Sequence, residues 1–239
     1  MTDEVLFKPR AIKDFSRRTV LYIPVDSLSG TIKKALSKTA VKKKAWIGAD
    51  LFLLEDKVIV FGGIGAPAAV ISLESLIVSG AEDVIILGFC GALNSKFKLL
   101  DAVSIKKAFS EEGTSKHYFT GRTEFFPSRI LKDKIEGVLQ SKGLLFQSGS
   151  IVSTDAPFRE TRAWLESNRS RGVDCVDMET SAVFALAEFY GIQAAALLIV
   201  SDKLYKSKHI TGFLHPGMNR KIKKYVLPFI EKPIDIFYE

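Results

Sequence analysis

Cysteine is scarce in this 239-residue chain, which holds only Cys90 and Cys175. Two cysteines cannot build a disulfide scaffold, and their wide separation fits neither a zinc ligand set nor a thioredoxin-type pair. They read as two buried, reduced thiols of a cytoplasmic protein. Long apolar runs are also missing: none approaches the ~18 residues that a membrane span needs. The opening MTDEVLFKPRAIKDF mixes charges and lacks the apolar core of a signal peptide. A soluble chain is expected, without membrane or metal. Acidic residues are in deficit, 27 against 34 basic ones, for a net charge of +7. The excess gathers at Lys33, Lys34, Lys38, Lys42, Lys43 and Lys44, and again at Arg220, Lys221, Lys223 and Lys224. No aromatic residues interleave with the first group for base stacking, so a solvated helix face or attraction for a small anion is expected in place of nucleic acid.

What is present is an ordinary globular composition, 47% hydrophobic and 26% charged, in a chain long enough for a sizeable core. Apolar runs at 18–23, 84–87, 102–105, 149–153 and 194–200 read as strands, and Leu51–Leu54 with Lys57–Phe61 reads as a hairpin about Glu55-Asp56. Ala69, Val70, Leu73, Leu76 and Ile77 recur on one helical face, with Gly80 placed to end that helix. Residues 177–190 read as a second helix stopped by Gly191, and a Lys-rich helix is expected after Gly30. Alternating strands and helices, with no repeat or linker, predict an α/β fold: one domain over 1–239, with a mixed central sheet flanked by helices. In such sheets ligands bind beyond the carboxyl ends of the strands. The segments expected there are a turn at Gly62–Pro67, a turn at Gly88–Gly91, Ser153–Arg159 and Ser201-Asp202.

These landmarks, in this order, resemble the nucleoside phosphorylase superfamily, over roughly residues 18–205. Glu112-Gly113-Thr114-Ser115 with His117-Tyr118 is similar to the uridine phosphorylase branch. Val200-Ser201-Asp202 is similar to the purine-handling branch. Val176-Asp177-Met178-Glu179 before Ser181-Ala182-Val183, and Gly63-Ile64-Gly65-Ala66-Pro67, resemble the family's Met-Glu helix start and its turn before the first helix. The resemblance implies cleavage of an N-glycosidic bond through an oxocarbenium-like sugar. Phosphate would be the co-substrate, or water the nucleophile, and no cofactor would be needed.

It further implies that Glu179 accepts both ribose hydroxyls, beside Asp177 and with Met178 beneath the sugar. Asp202 would be the acid that protonates the departing base, its pKa raised by burial, with Arg220 as its partner because only Lys203, Lys206, Lys208 and Arg220 follow nearby. Phe158 would stack on the base, Arg159 or Thr154 would meet a pyrimidine edge, and His117 would belong to the substrate site. Each has a plainer alternative: a helix-start carboxylate for Glu179, core packing for Met178, a loop cap for Asp202 and a loop anchor for Phe158. The phosphate site departs from the family. Ile86 and Phe89 stand where its arginine and its Ser or Thr fall, and Pro24-Val25-Asp26-Ser27 replaces its Gly-Asp-Pro turn. Backbone amides near Gly65, Gly88 and Gly91, with Lys43 and Lys44, are the substitutes, and Asp26 is the one acid placed to activate water. A ligand-binding member without catalysis is the remaining alternative. Family assemblies imply a homo-oligomer, a dimer or a hexamer of dimers.

Overall fold

Strands covered on both faces need apolar side chains on both, and the apolar runs accordingly form the middle of the sheet. A computed structural model describes residues 5–12, 15, 18–25, 29–40, 42–205, 210–212 and 215–231. In chain order its elements are β1 (Thr19–Ile23), α1 (Ser29–Thr39), β2 (Lys42–Trp46), β3 (Ala49–Leu53), β4 (Lys57–Gly62) and α2 (Ala66–Ile77). Next come β5 (Asp83–Ala92), β6 (Ala102–Ser110), β7 (Glu124–Phe125), α3 (Arg129–Ser141), β8 (Gln147–Ser153) and α4 (Arg162–Ser170). The last are β9 (Cys175–Asp177), α5 (Thr180–Tyr190), β10 (Gln193–Lys203), β11 (Ile210–Thr211), α6 (Met218–Tyr225) and α7 (Leu227–Glu231).

Across the sheet the order is β11, β10, β6, β8, β9, β5, β1, β4, β3, β2, with β7 on β6 and a further pairing of β10 with β5. That pairing closes β5, β10, β6, β8 and β9 into a ring, and β1, β4, β3 and β2 extend from it as a wing. The sheet is mixed, as expected: β5 runs parallel to β1 and β10 but antiparallel to β9, and β2, β3 and β4 form an antiparallel meander.

Alternation along the strands divides the core. Val20 and Tyr22 of β1, and Val84 and Ile86 of β5, pack with α2 and α5. Their neighbours Leu21, Ile23, Ile85 and Leu87 face the opposite layer, with side chains of α1, α3, α6 and α7. A smaller cluster holds Leu165 of α4 against Phe109, Val152 and Val176. Gly65, at φ 92°, turns the chain into α2, and Gly191 in the left-handed region ends α5. Among the described residues no helix is long and apolar enough to cross a membrane.

The structure corrects two expectations. Gly88–Gly91 is not a turn, because β5 continues to Ala92. Its glycines mark close approach: a side chain on Gly88 would press on Leu198 and Pro24, and one on Gly91 on Leu204 and Asp202. Lys42, Lys43 and Lys44 belong to the exposed edge strand β2 and not to a helix face. Lysines there discourage a further strand from pairing. The amphipathic helices α3, α4 and α6 were not anticipated at all.

Candidate active site

A cleft of about 690 Å³ opens where the chain leaves the carboxyl ends of several strands. Pro24 and Val25 follow β1, Ile64 follows β4, Phe89–Gly91 end β5, Val176–Glu179 end and follow β9, and Ser201, Asp202 and Leu204 end and follow β10. Residues 157–162 form the outer wall with Leu165 of α4.

Glu179 lies at the floor, buried, where the chain turns from β9 into α5. One oxygen accepts from the Gly65 amide at 2.6 Å and the other from the Met178 amide at 3.2 Å. The carboxylate thus joins the first turns of α2 and α5. Burial, then the charge of Asp177, raises its pKa, and the two amides offset only part of this. Asp177 is held in turn by Ser153 Oγ at 2.6 Å and by the amide and hydroxyl of Thr180. The same Ser153 hydroxyl accepts from the Ser181 amide at 2.9 Å, and Ser181 Oγ donates to buried Glu112 at 2.9 Å. Burial alone would raise the Glu112 pKa, but donation from Ser115, Ser110 and the Thr114 amide outweighs it, and the result is lowered. This network fixes the Glu112–Ser115 loop to the start of α5. Every carboxylate in it is satisfied, which gives the Glu179 backbone one position.

Asp202 stands on the β10 side, half-buried. Val200 pairs with Cys90 and Asp202 with Gly91, so Ser201 is an extra residue, a bulge. Ser201 Oγ lies within hydrogen-bond reach of the Cys90 carbonyl at 3.3 Å and of Asp202 Oδ1 at 2.7 Å. A Cβ on Gly91 would come within 2.8 Å of Asp202 Oδ2, so the carboxylate rests directly on the Gly91 backbone. Cys90, on the cleft lining, and Cys175, far apart in sequence, are neighbours: both are free and buried. The hydrogen bond between them and burial raise the Cys90 pKa.

At the mouth, Phe158 is 99% exposed, and Glu160 and Arg162 line the cleft with it. Burial, then the charge of Asp202, raises the Glu160 pKa to about 7. Among the described residues no group of three or more His, Cys, Asp or Glu side chains is arranged to hold a metal ion.

The family model of the phosphorylase superfamily matches residues 53–214, more than half of the chain. This chain belongs to the phosphorylase superfamily. A guanosine phosphorylase of Halorubrum lacusprofundi is 32% identical over 142 residues, 59% of this chain and 59% of that protein. A DeoD-type purine nucleoside phosphorylase of Bacillus cytotoxicus is 30% identical over 154 residues, 63% of this chain and 65% of that one. The match therefore spans less than two thirds of either relative. In fold, the chain is similar to a purine nucleoside phosphorylase of Toxoplasma gondii in complex with immucillin-H, at TM-score 0.73, 20% identity and 94% of each chain. It is likewise similar to a 5'-methylthioadenosine/S-adenosylhomocysteine nucleosidase of Helicobacter pylori, at TM-score 0.74 and 15% identity, over 93% of this chain and 99% of that one.

Of the residues singled out in the superfamily motifs, the cleft brings together Asp177, Met178, Glu179, Phe158, Asp202 and Gly91. Thr154 lies behind it, its amide bonded to the Asp177 carbonyl at 3.0 Å. Arg159 and His117 are exposed on short 3₁₀ turns and Arg220 is exposed on α6, and none of the three lines the cleft. Lys43 pairs with Asp50 at 2.8 Å on the sheet edge, and Lys44 is its exposed neighbour. The Gly65 amide is already donated to Glu179, and Gly88 is laddered opposite Leu198. Neither glycine therefore offers a free anion nest, and Ile86 is core while Phe89 lines the cleft. Asp26, Ser27, Lys206 and Lys208 lie outside the described residues. Glu160 and Arg162 were missed, although Thr161 is a hydroxyl N-cap, bonded to the Trp164 amide at 3.2 Å, directly after a strand-end loop. A helix start in that place points its first residues at the strand ends.

Proposed function

We propose that this chain cleaves the N-glycosidic bond of a nucleoside, releasing the base and passing the sugar to phosphate to give ribose 1-phosphate. The observation that carries the reading is the pairing, in one cleft, of a buried floor carboxylate at Glu179 with a wall carboxylate at Asp202. Glu179 is the ribose anchor: two oxygens, each already oriented by an amide, can accept from two vicinal hydroxyls. Met178 lies beneath the sugar, with Asp177 holding the turn behind it. Asp202 supplies a proton to the base as the C1′–N bond breaks, and Phe158 covers the base from the mouth. Phosphate as nucleophile is supported by the likeness to a guanosine phosphorylase and a purine nucleoside phosphorylase, 32% and 30% identical to this chain. Water is the second reading, favoured by one observation: among the described lining residues Arg162 is the one cation.

Exposed Ile47, Ile64, Ile71 and Phe189 support a homo-oligomer of this cytoplasmic chain, to be checked by analytical ultracentrifugation. The deciding experiment incubates purine and pyrimidine nucleosides with and without phosphate and separates base, ribose and ribose 1-phosphate by chromatography. Phosphate-dependent release of base with ribose 1-phosphate supports phosphorolysis. Release of free ribose at the same rate without phosphate replaces it with hydrolysis, and nucleoside binding without release of base removes catalysis.

A further inference from the structure

Tyr22 is the next-to-last residue of β1, where it lies level with Val60 of β4 on one side and Ile86 of β5 on the other. It is fully buried, yet its ring ends in a hydroxyl, and a buried hydroxyl without a partner costs free energy. The partner is the Gly63 carbonyl, to which Tyr22 Oη donates. Gly63 belongs to the turn that carries the chain from β4 into α2, in which Gly62, Gly63 and Gly65 have φ of 99°, 72° and 92°. A turn with three such glycines has little stiffness of its own, so its conformation is imposed by what it touches.

The contacts that impose it are few. The Gly63 amide donates to the Gly48 carbonyl at 3.0 Å, and the Gly65 carbonyl accepts from the Ala69 amide at 2.9 Å as α2 begins. Tyr22 adds the hold on the peptide between Gly63 and Ile64. The very next peptide carries the Gly65 amide, which donates to Glu179 at 2.6 Å. Two adjacent peptide planes therefore join a side chain of β1 to the carboxylate on the floor of the cleft.

We propose that Tyr22 is a positioning residue for Glu179: its hydroxyl sets the Gly63–Ile64 peptide, and through the next peptide it aims the Gly65 amide that orients the carboxylate. What this orientation serves rests on the glycosidic-cleavage reading, in which Glu179 accepts from the two ribose hydroxyls. A carboxylate already fixed by an amide meets both hydroxyls without first losing rotational freedom. Tyr22→Phe removes one oxygen, keeps the ring in the core and strips the buried Gly63 carbonyl of its donor. That carbonyl then turns toward another donor, and the Gly65 amide moves with it. Burial, then the charges of Glu179 and Asp177, hold the Tyr22 pKa well above its ordinary value, so the hydroxyl stays a donor throughout the neutral range. If Tyr22 only fills the core, its hydroxyl affects stability alone; if it positions Glu179, sugar recognition falls with it.

The test compares the wild type, Tyr22→Phe, Glu179→Gln and the double variant, with thermal melts to verify folding. Calorimetric Kd is measured for adenosine, guanosine and uridine and for the 2′,3′-dideoxy counterpart of each, which lacks both hydroxyls. The expected result is a wild-type preference for the ribonucleoside of about tenfold or more, reduced about threefold or more in Tyr22→Phe and reduced no further by Tyr22→Phe in the Glu179→Gln background. A preference that Tyr22→Phe leaves unmoved, or lowers equally in both backgrounds, overturns the positioning role whatever the melting temperature does, and leaves the reading of the sugar site intact. A wild type that binds both sugars alike, or binds no nucleoside, sinks that reading instead, and the link from Tyr22 to Glu179 is then decided in ligand-free protein labelled with 15N-glycine. There Tyr22→Phe should shift the Gly65 amide resonance in the same direction as Glu179→Gln does. An unmoved Gly65 resonance overturns the link itself.

Discussion

Two walls of the same cleft are finished in opposite ways. The wall made by β9, β10 and the 157–162 loop carries Glu160, Asp177, Glu179 and Asp202, most of them held by neighbouring hydroxyls and amides. The wall made by the residues after β1 and β4 and by the end of β5 carries Pro24, Val25, Ile64 and Phe89. In the proposed reading the first holds and protonates a nucleoside. The second offers apolar surface to whatever attacks the sugar. The carboxylates of the first wall are locked into the sheet, whereas the second wall has no comparable set of polar side chains among the described residues.

The comparison breaks hardest at Asp202. Asp202→Asn removes the proton donor but keeps the shape, and kcat for purine nucleosides should fall about 10²- to 10⁴-fold with KM little changed. Equal losses for purine and pyrimidine nucleosides would point to a structural role. Next, Glu179→Gln should weaken nucleoside binding by about 1.5–3 kcal/mol in calorimetry above the raised Glu179 pKa, where the ionised carboxylate accepts from two hydroxyls better than a neutral amide does. An unchanged Kd would take the sugar away from this wall.

Gly91→Ala tests how closely the acid is seated. The new methyl would lie 2.6 Å from Leu204 Cδ1 and 2.8 Å from Asp202 Oδ2, both ends of flexible side chains. Overpacking of this kind costs about 1–3 kcal/mol in urea unfolding, and kcat should fall further than KM rises because the displaced group is the acid. A subtler sign comes from pH. The Glu179 pKa is raised, by burial and then by Asp177, so the native state keeps a proton that the unfolded chain gives up. The associated stability is whole below the ordinary carboxylate range and is lost as pH rises through the folded value. Melting temperature of the ligand-free protein should therefore decline from mildly acidic into alkaline solution, and decline less steeply in Glu179→Gln. Smallest of all, Lys43→Ala should change stability by no more than about 0.5 kcal/mol, being an exposed edge pair. A large loss of phosphate dependence in that variant would show that the second wall is completed by a lysine after all.

Legibility in the sequence followed how local each signal was. The strand at 84–87 and the helix ended by Gly191 are announced by neighbouring residues, and so was the Met178-Glu179 turn between β9 and α5. The end of β5 was not, because Gly88 and Gly91 carry the usual mark of a turn and their real reason, contact with Pro24, Leu198, Leu204 and Asp202, is entirely long-range. The run Lys42–Lys44 misled for a similar reason: lysine favours a helix by propensity, and only pairing with β3 makes it a strand. The cleft carboxylates at 177, 179 and 202 were legible through motifs. Glu160 was not, since its place on the cleft wall is a property of three dimensions.

The extra residue at Ser201 gives the site a parity. Side chains along a strand alternate between faces, so Asp202 points away from the face taken by Val200 only because one residue too many lies between their pairings with Cys90 and Gly91. Substitutions along β10 can retune the cleft by degrees, leaving the count unchanged. A single-codon insertion or deletion before Asp202 turns an even count into an odd one and swings the carboxylate to the opposite face in one step. Drift of this chain by point mutation is therefore gradual in its chemistry, and drift by length at this one place is all or none.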